Sequence, residues 1–119
     1  MTGSNLSFWE EMTRLAATQR IVIDRPKGQK HSRYPELIYP LNYGFLEDTS
    51  ASDGGGIDVW LGSLGNMKLT GILCTFDTLK RDAEIKLLLG CTATDIETIL
   101  KCYESDMRAL YIPNPLESQ

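Results

Sequence analysis

Two apolar segments in the second half of the chain constrain the fold more than any other feature. They are "LTGILCTF", residues 69–76, and "EIKLLLGC", residues 84–91, and the charged stretch "DTLKRDA" separates them. Each segment has the length and composition of a strand, and a short polar stretch between two strands is typical of a hairpin turn. We therefore predict a β-hairpin here, around which the rest of the chain must be arranged.

A helical pattern lies near the start of the chain. Over residues 5–20, Phe8 and Leu15 belong to an apolar stripe with the helical spacing i, i+4, i+7, and Ser7 and Glu10 have the spacing of a capping box. We predict an amphipathic helix whose apolar stripe either covers the sheet or forms a subunit contact.

Further strands and a second helix complete the pattern. Residues 21–24 are mostly β-branched, and residues 57–61 alternate between two faces, so both are predicted to be short strands. A second helix is predicted from about Thr94 to Leu110, where Thr94 and Glu97 again have capping-box spacing. The order of helix, short strands and helix predicts an α+β fold around a small sheet or barrel.

Size and charge exclude several classes of protein. The 119 residues fit a single domain over 1–119, and a formal net charge of -4 argues against nucleic acid or an anionic membrane surface as the main partner. No apolar run approaches membrane-spanning length, and the N-terminus lacks the basic and apolar regions of a signal peptide. The three cysteines form no CxxC pair, which favours reduced thiols. We therefore expect a cytoplasmic protein that binds neither nucleic acid nor membrane.

Four aspartates stand at strand ends or turns of the predicted sheet: Asp53, Asp58, Asp77 and Asp82. The first two flank a run of three consecutive glycines, 54–56. Carboxylates joined by such a flexible loop can approach one ion, and Mg²⁺ takes oxygen ligands of this kind. Aspartate is also a routine turn residue, and a glycine-rich turn needs no ligand. The spacing alone therefore leaves a magnesium site and a plain turn both open.

Five sequence blocks occur in a characteristic order. They are "VIDRPKG", Arg33-Tyr34, "YPLNYGF", "DGGGIDV" and "FDTLKRDAEIK". In this order the blocks resemble those of the soluble (family I) inorganic pyrophosphatases, over about residues 20–90. The resemblance implies a small antiparallel OB-like β-barrel with an N-terminal and a C-terminal helix. It also implies Mg²⁺-dependent hydrolysis of inorganic pyrophosphate to phosphate by a metal-activated water.

The resemblance also implies roles for particular residues. The residues that it implies as Mg²⁺ ligands are Asp24, Asp53, Asp58, Asp77 and Asp82. The residues that it implies as contacts of the substrate are Arg33, Tyr39, Tyr43, Lys27 and Lys86. In this scheme Asp53 and Asp58 are the catalytic residues, acting through the metal-bound water.

Three departures from the family pattern concern catalysis and phosphate binding. Gly55 stands where the family has the aspartate that activates the attacking water, Glu84 stands where it has a phosphate-binding lysine, and "PELI" replaces a hairpin that carries an arginine. Three functions therefore stay open: pyrophosphate hydrolysis with reduced activity, a catalytically inactive protein that binds a metal, phosphate or a partner chain, and hydrolysis of a larger phosphorylated metabolite. A short chain has little room to bury its own apolar surface, so we also expect a homo-oligomer.

Overall fold

The computed structural model describes residues 3–117, with the side chains of residues 5–117. Its elements, in chain order, are α1 (Gly3–Thr18), β1 (Ile21–Arg25), β2 (Asn42–Leu46), β3 (Asp58–Leu61), β4 (Leu69–Asp77), β5 (Asp82–Leu89), α2 (Ala93–Leu100), a 3₁₀ turn (Lys101–Tyr103) and β6 (Met107–Pro113). The predicted hairpin is confirmed as β4 and β5, whereas β2 lies in a segment for which no strand was predicted.

The six strands form one mixed sheet in the order β1-β2-β3-β5-β4-β6. Neighbouring strands are antiparallel except β3 and β5, which are parallel. Within residues 3–117 the sheet is open, with β1 and β6 as its edges. The predicted α+β class is confirmed. The sheet is not fully antiparallel, because β5 runs parallel to β3, and within the described residues it is not closed into a barrel, because β1 and β6 do not pair.

Alternate residues of the central strands pack on opposite faces of the sheet. Ile72 and Leu87 are opposite each other in the β4–β5 ladder and pack with α1, whereas Leu73 and Leu88 belong to the core on the side of α2. This alternation is the period-2 geometry of a strand. Each face therefore has its own apolar core, and the sheet lies between the two helices.

The N-terminal helix is confirmed, and it covers the sheet. Trp9 and Ala16 are buried in the core on that face, while Phe8 stays exposed. Because α1 begins at Gly3, the predicted capping pair Ser7 and Glu10 lies inside the helix and does not cap it.

The predicted C-terminal helix is wrong beyond Leu100. The chain instead makes a 3₁₀ turn and then forms β6, which pairs antiparallel with β4. Residues 107–113 satisfy a strand pattern, because Met107, Ala109 and Tyr111 face the core. Leu110, placed on the apolar face of the predicted helix, is 61% exposed. Residues 107–110 have a spacing that is compatible with a helix, but they form a strand because they pair with β4.

The start of α2 is shifted from the predicted position. Thr92 is the N-cap: its side chain accepts a hydrogen bond from the Asp95 amide at 3.0 Å, and the Asp95 carboxylate accepts one from the Thr92 amide at 2.9 Å. This reciprocal pair satisfies two amides that no helix carbonyl can reach. The predicted pair, Thr94 and Glu97, lies two residues further on.

Two exclusions made from the sequence concern cysteines and membrane spans. All three cysteines are free thiols. Among residues 3–117, we find no helix with the length and hydrophobicity needed to cross a bilayer.

Candidate functional site

The aspartates singled out in the sequence line one cleft of about 400 Å³ on the α2 side of the sheet. Its carboxylates are Asp24, Asp53, Asp58, Asp77, Asp82 and Glu84. Its cationic side chains are Arg25, Arg33, Lys80 and Lys86, and its rings are His31, Tyr34, Tyr39 and Tyr43. The cleft therefore combines both signs of charge in a space suited to a small polar ligand.

The β2–β3 ladder positions the first carboxylate of the cleft. Tyr43 is opposite Trp60, and Asp58 lies two residues before Trp60, so the three side chains share one face. The Tyr43 hydroxyl donates a 2.7 Å hydrogen bond to Asp58 Oδ2. Burial raises the pKa of Tyr43 in spite of the nearby Lys86 ammonium, so Tyr43 remains a neutral donor at physiological pH.

Lys86 is the buried cation of the cleft. Its side chain is 7% exposed, and Nζ lies 2.7 Å from Tyr43 Oη, 3.0 Å from Glu84 Oε1 and 3.2 Å from Asp58 Oδ2. Burial alone lowers the pKa of Lys86, but the hydrogen bond to Tyr43 and the negative charge of Asp58 outweigh burial and raise it. The ammonium thus stays charged, as a buried charge can when it is paired and hydrogen-bonded.

The β4–β5 hairpin presents two carboxylates at its turn end. Asp77 and Asp82 are directly opposite each other, and Glu84 and Lys86 follow Asp82 at alternate positions of β5. Like charges directly opposite on a sheet repel each other. This end of the cleft is therefore suited to a positively charged group between the two strands.

Asp77 is held as a carboxylate by its own turn. Its Oδ1 accepts hydrogen bonds from the amides of Lys80 and Leu79 at 3.0 and 2.9 Å, and its Oδ2 accepts a longer one from the Tyr34 hydroxyl at 3.4 Å. The amide hydrogen bond of Lys80 is the main cause that lowers the pKa of Asp77, against the effect of burial.

An irregularity in β1 brings two charged side chains to the cleft. The β1–β2 register passes from Ile23, opposite Gly44, directly to Arg25, opposite Tyr43, so Asp24 has no opposite residue. Such a bulge lets consecutive side chains reach the same side of a sheet. Asp24 and Arg25 both line the cleft for this reason, although only Asp24 was predicted to do so.

The basic segment after β1 folds back as an irregular hairpin. The Gly28 amide donates to the Tyr39 carbonyl, the Tyr39 amide donates to the Gln29 carbonyl, and the His31 amide donates to the Leu37 carbonyl, all at 2.8–2.9 Å. This pairing brings His31 to the cleft and stacks its ring on Tyr39. No role was predicted for His31, although it lies in the cationic segment 25–33, which contains Arg25, Lys27, Lys30 and Arg33.

The three glycines at 54–56 differ in whether their backbone conformation or their surroundings require a residue without a Cβ atom. Gly54 has φ +89, which favours glycine, and an ideal Cβ at Gly56 would lie 2.7 Å from Phe45 Cδ2. A Cβ at Gly55 would meet only Asp53 Oδ1, at an ordinary 3.5 Å. The Gly55 amide donates to that same oxygen at 2.9 Å. Gly55 is therefore the glycine of this loop that the backbone does not require.

The carboxylates fit a magnesium ion that brings other ligands, but they do not form a complete metal centre. Across residues 3–117, no group of three or more aspartate, glutamate, histidine or cysteine side chains is gathered closely enough to hold a metal ion. Mg²⁺ is commonly held by one or two carboxylates together with waters and phosphate oxygens. The all-oxygen donor set of this cleft meets that requirement when the ion enters with a phosphorylated ligand.

Not every predicted substrate contact reaches the cleft. Arg33, Tyr39, Tyr43 and Lys86 line it, whereas Lys27 does not. The backbone amide of Lys27 is hydrogen-bonded to the Asn42 side chain, and the residue is exposed. The role of Lys27 in substrate binding stays a prediction. Four further residues of the cleft were not predicted: Arg25, His31, Tyr34 and Lys80. The charged segments 25–33 and 77–83, which contain or adjoin them, were the signal in the sequence.

The fold and the cleft define an α+β domain with a six-stranded mixed sheet and a small site of mixed charge at one end. Comparison with solved structures finds this fold in inorganic pyrophosphatases. The chain is similar to the enzyme of Helicobacter pylori, with a TM-score of 0.52 and 16% identity over 78% of this chain and 81% of that one. It is also similar to the enzyme of Coxiella burnetii, with a TM-score of 0.50 and 15% identity over 78% and 82% of the two chains. No family model and no curated protein matches the sequence.

Proposed function

We propose that the cleft binds inorganic pyrophosphate or another small phosphorylated compound and hydrolyses it. One observation supports the proposal above all others. Charged residues and tyrosines from all five sequence blocks, from Asp24 to Lys86, line a single cleft of about 400 Å³. The likeness in fold to inorganic pyrophosphatases supports the same activity.

The cationic side chains are suited to binding phosphoryl oxygens. Arg25 and Arg33 offer the planar, multiple donors that match phosphate, and Lys80 and Lys86 add point charges. Lys86 is already fixed by Tyr43 and two carboxylates. Its three N–H donors are therefore already occupied, so Lys86 contributes a fixed positive charge to the cleft.

We propose Mg²⁺ as the cofactor, entering with the phosphorylated substrate. The residues that would hold it are Asp24, Asp53, Asp58, Asp77 and Asp82. When bound, the ion neutralises phosphate charge and makes a water molecule more acidic. The chain itself keeps Asp58 oriented through the Tyr43 hydroxyl and keeps Asp77 ionised through turn amides. We propose Asp53 and Asp58 as the catalytic carboxylates.

A second candidate function is anion binding without hydrolysis. Two observations favour it: Gly55 places no carboxylate beside Asp53, and Lys86 already neutralises Asp58 and Glu84. A cleft of this kind binds a phosphorylated ligand through its cations but lacks the base that positions an attacking water.

Phosphate release with millimolar Mg²⁺ tests the proposed hydrolysis, with pyrophosphate, ATP and larger phosphorylated metabolites as parallel substrates. We expect pyrophosphate to be hydrolysed and Asp58→Asn to lower the rate by at least about tenfold, because it weakens both metal binding and the Tyr43 and Lys86 contacts. Asp48→Asn is the matched control: Asp48 is exposed, lies outside the cleft, and has φ 59, which asparagine tolerates.

If phosphate is released faster from a larger metabolite than from pyrophosphate, the proposed hydrolysis stands but its substrate is that metabolite. No release from any substrate would refute hydrolysis. Binding of pyrophosphate in that case would establish the second candidate function.

A further inference from the structure

His31 is held by its own loop in one orientation. Its Nδ1 accepts hydrogen bonds from the backbone amides of Arg33 at 3.0 Å and Tyr34 at 3.1 Å. A backbone amide can only donate, so Nδ1 carries no proton. The neutral imidazole then carries its single proton on Nε2, at the other side of the ring.

Aromatic neighbours fix the plane of the His31 ring. The ring is stacked on Tyr39 with a centroid distance of 5.7 Å and an interplanar angle of 12°, and it lies 5.1 Å from the ring of Tyr34. Tyr39 is buried, and its hydroxyl accepts a hydrogen bond from Arg25. Rotation of the imidazole would therefore break two amide hydrogen bonds and a stacked contact together.

The charges around His31 favour the neutral imidazole. Burial is the main cause that lowers its pKa, and the cationic groups Arg25, Lys86, Arg33 and Lys80 lower it further. The carboxylates on the walls of the same cleft are Asp24, Asp53, Asp58, Asp77, Asp82 and Glu84. None of them is hydrogen-bonded to the ring among the described residues.

Nε2 is the ring nitrogen of His31 that remains available to a ligand, because the two amides of its loop occupy Nδ1. His31 lines the cleft with the cationic groups, and no residue in the described range 3–117 shares a hydrogen bond with its Nε2. We propose that His31 donates a hydrogen bond from Nε2 to a phosphoryl oxygen of the anion bound in the cleft. This inference rests on the proposed function only in taking the ligand to be a phosphorylated anion.

A neutral donor at this position has a definite chemical use. Glu84 and Asp58 already accept hydrogen bonds from Lys86, so this buried cation has no free donor for a polyanion. An imidazole N–H adds a directed hydrogen bond without adding another positive charge beside Arg33 and Lys86. Hydrogen bonds to charged groups are stronger than those between neutral groups.

Two substitutions separate this binding role from the role of His31 in holding its loop. In His31→Asn, the amide oxygen takes the place of Nδ1 and can accept from the Arg33 and Tyr34 amides, but the donor into the cleft is lost. In His31→Gln, the amide nitrogen takes the place of Nε2, but the acceptor for the loop amides is lost. A purely structural role predicts the larger defect in His31→Gln, and the proposed role predicts it in His31→Asn.

The experiment is a titration followed by nitrogen NMR of the imidazole, which is unambiguous because the chain has one histidine. Inorganic phosphate and pyrophosphate are added separately, with and without Mg²⁺. We expect the free protein to show the Nε2–H tautomer and the Nε2 signal to move on anion binding. We expect His31→Asn to weaken anion binding by about tenfold or more and His31→Gln to bind more nearly as the wild type.

Three results would overturn the inference: an Nδ1–H tautomer, anion binding that leaves the Nε2 signal unchanged, or no binding of either anion. Unchanged affinity of a folded His31→Asn variant would do the same. Failure of the proposed hydrolysis is seen separately. If pyrophosphate binds and moves the Nε2 signal but is not cleaved, the role of His31 is supported and hydrolysis is refuted.

Discussion

Lys86 supplies to the cleft a positive charge that the family pattern places two residues earlier in the same strand, at position 84. The resemblance to pyrophosphatases places a lysine at position 84, where this chain has a glutamate. Residues two apart in a strand point to the same face. Lys86 therefore lies beside Glu84 and reaches the cleft, where its ammonium is hydrogen-bonded to Tyr43.

Gly55 is the residue at which we expect a single substitution to increase activity. Its position tolerates a Cβ, unlike those of Gly54 and Gly56. Gly55→Asp adds a carboxylate next to Asp53, where it can act as a general base. With saturating Mg²⁺, we expect pyrophosphate hydrolysis to rise by about tenfold or more, as measured by phosphate release.

Gly55→Asn is the matched control, since it adds nearly the same volume without the charge. We expect it to leave the rate unchanged. If Gly55→Asp folds, binds Mg²⁺ and shows no gain, then the base is not what limits the rate. The small number of phosphate contacts would then be the limiting feature.

Among the structural elements, α2 depends on one buried carboxylate. Asp95 Oδ2 accepts hydrogen bonds from the Ser63 amide, the Ser63 hydroxyl and the Thr92 amide at 2.8–2.9 Å. It thus completes the capping box of Thr92 and holds α2 against the loop after β3. Although burial raises the pKa of Asp95, these hydrogen bonds outweigh burial and lower it.

We expect Asp95→Ala to lower the free energy of unfolding by about 1–3 kcal/mol, because it leaves partly buried amides without an acceptor. Urea denaturation measures the change, with Glu97→Ala on the exposed side of the same helix as control. A carboxyl whose pKa is lowered by folding stabilises the protein above its unfolded pKa. The difference between wild type and Asp95→Ala should therefore shrink as the pH falls below about 4. A difference that is absent at neutral pH would contradict this role.

For the whole molecule, the α1 side of the sheet is only partly covered. The exposed apolar side chains on this face are Phe76, Ile85, Leu110 and Ile112, and Phe8 of α1 is also exposed. Large exposed apolar patches on one face are typical of surfaces that bind another protein. We propose that a second copy of the chain covers this face.

Light scattering tests the proposed self-association. We expect the wild type to have a mass greater than that of one chain, and a variant with Ile85→Lys and Leu110→Lys to have the mass of one chain. Leu79→Lys is the control, because Leu79 is also exposed but lies in the β4–β5 turn, outside the paired residues of the sheet. A wild-type protein that is wholly monomeric at high concentration would exclude the oligomer.

The sequence by itself determined the elements whose patterns are local. The helical stripe that contains Trp9 and the two strands of the β4–β5 hairpin could be predicted because their periodicity and turn residues lie within a few residues of each other. The block order also indicated Asp58 and Asp77 as residues of one site. These residues do line one cleft.

Only the tertiary structure decided the last strand and several residues of the cleft, because their positions depend on pairing between distant segments. Residues 107–110 fit a helical stripe, yet they form a strand because β4 offers an edge with which they pair. Arg25 reaches the cleft through a bulge, and His31 does so through the pairing of its loop. Lys86 meets Asp58 only when β3 and β5 lie side by side. Such long-range contacts leave no periodic signal in a single sequence, so local patterns cannot predict them.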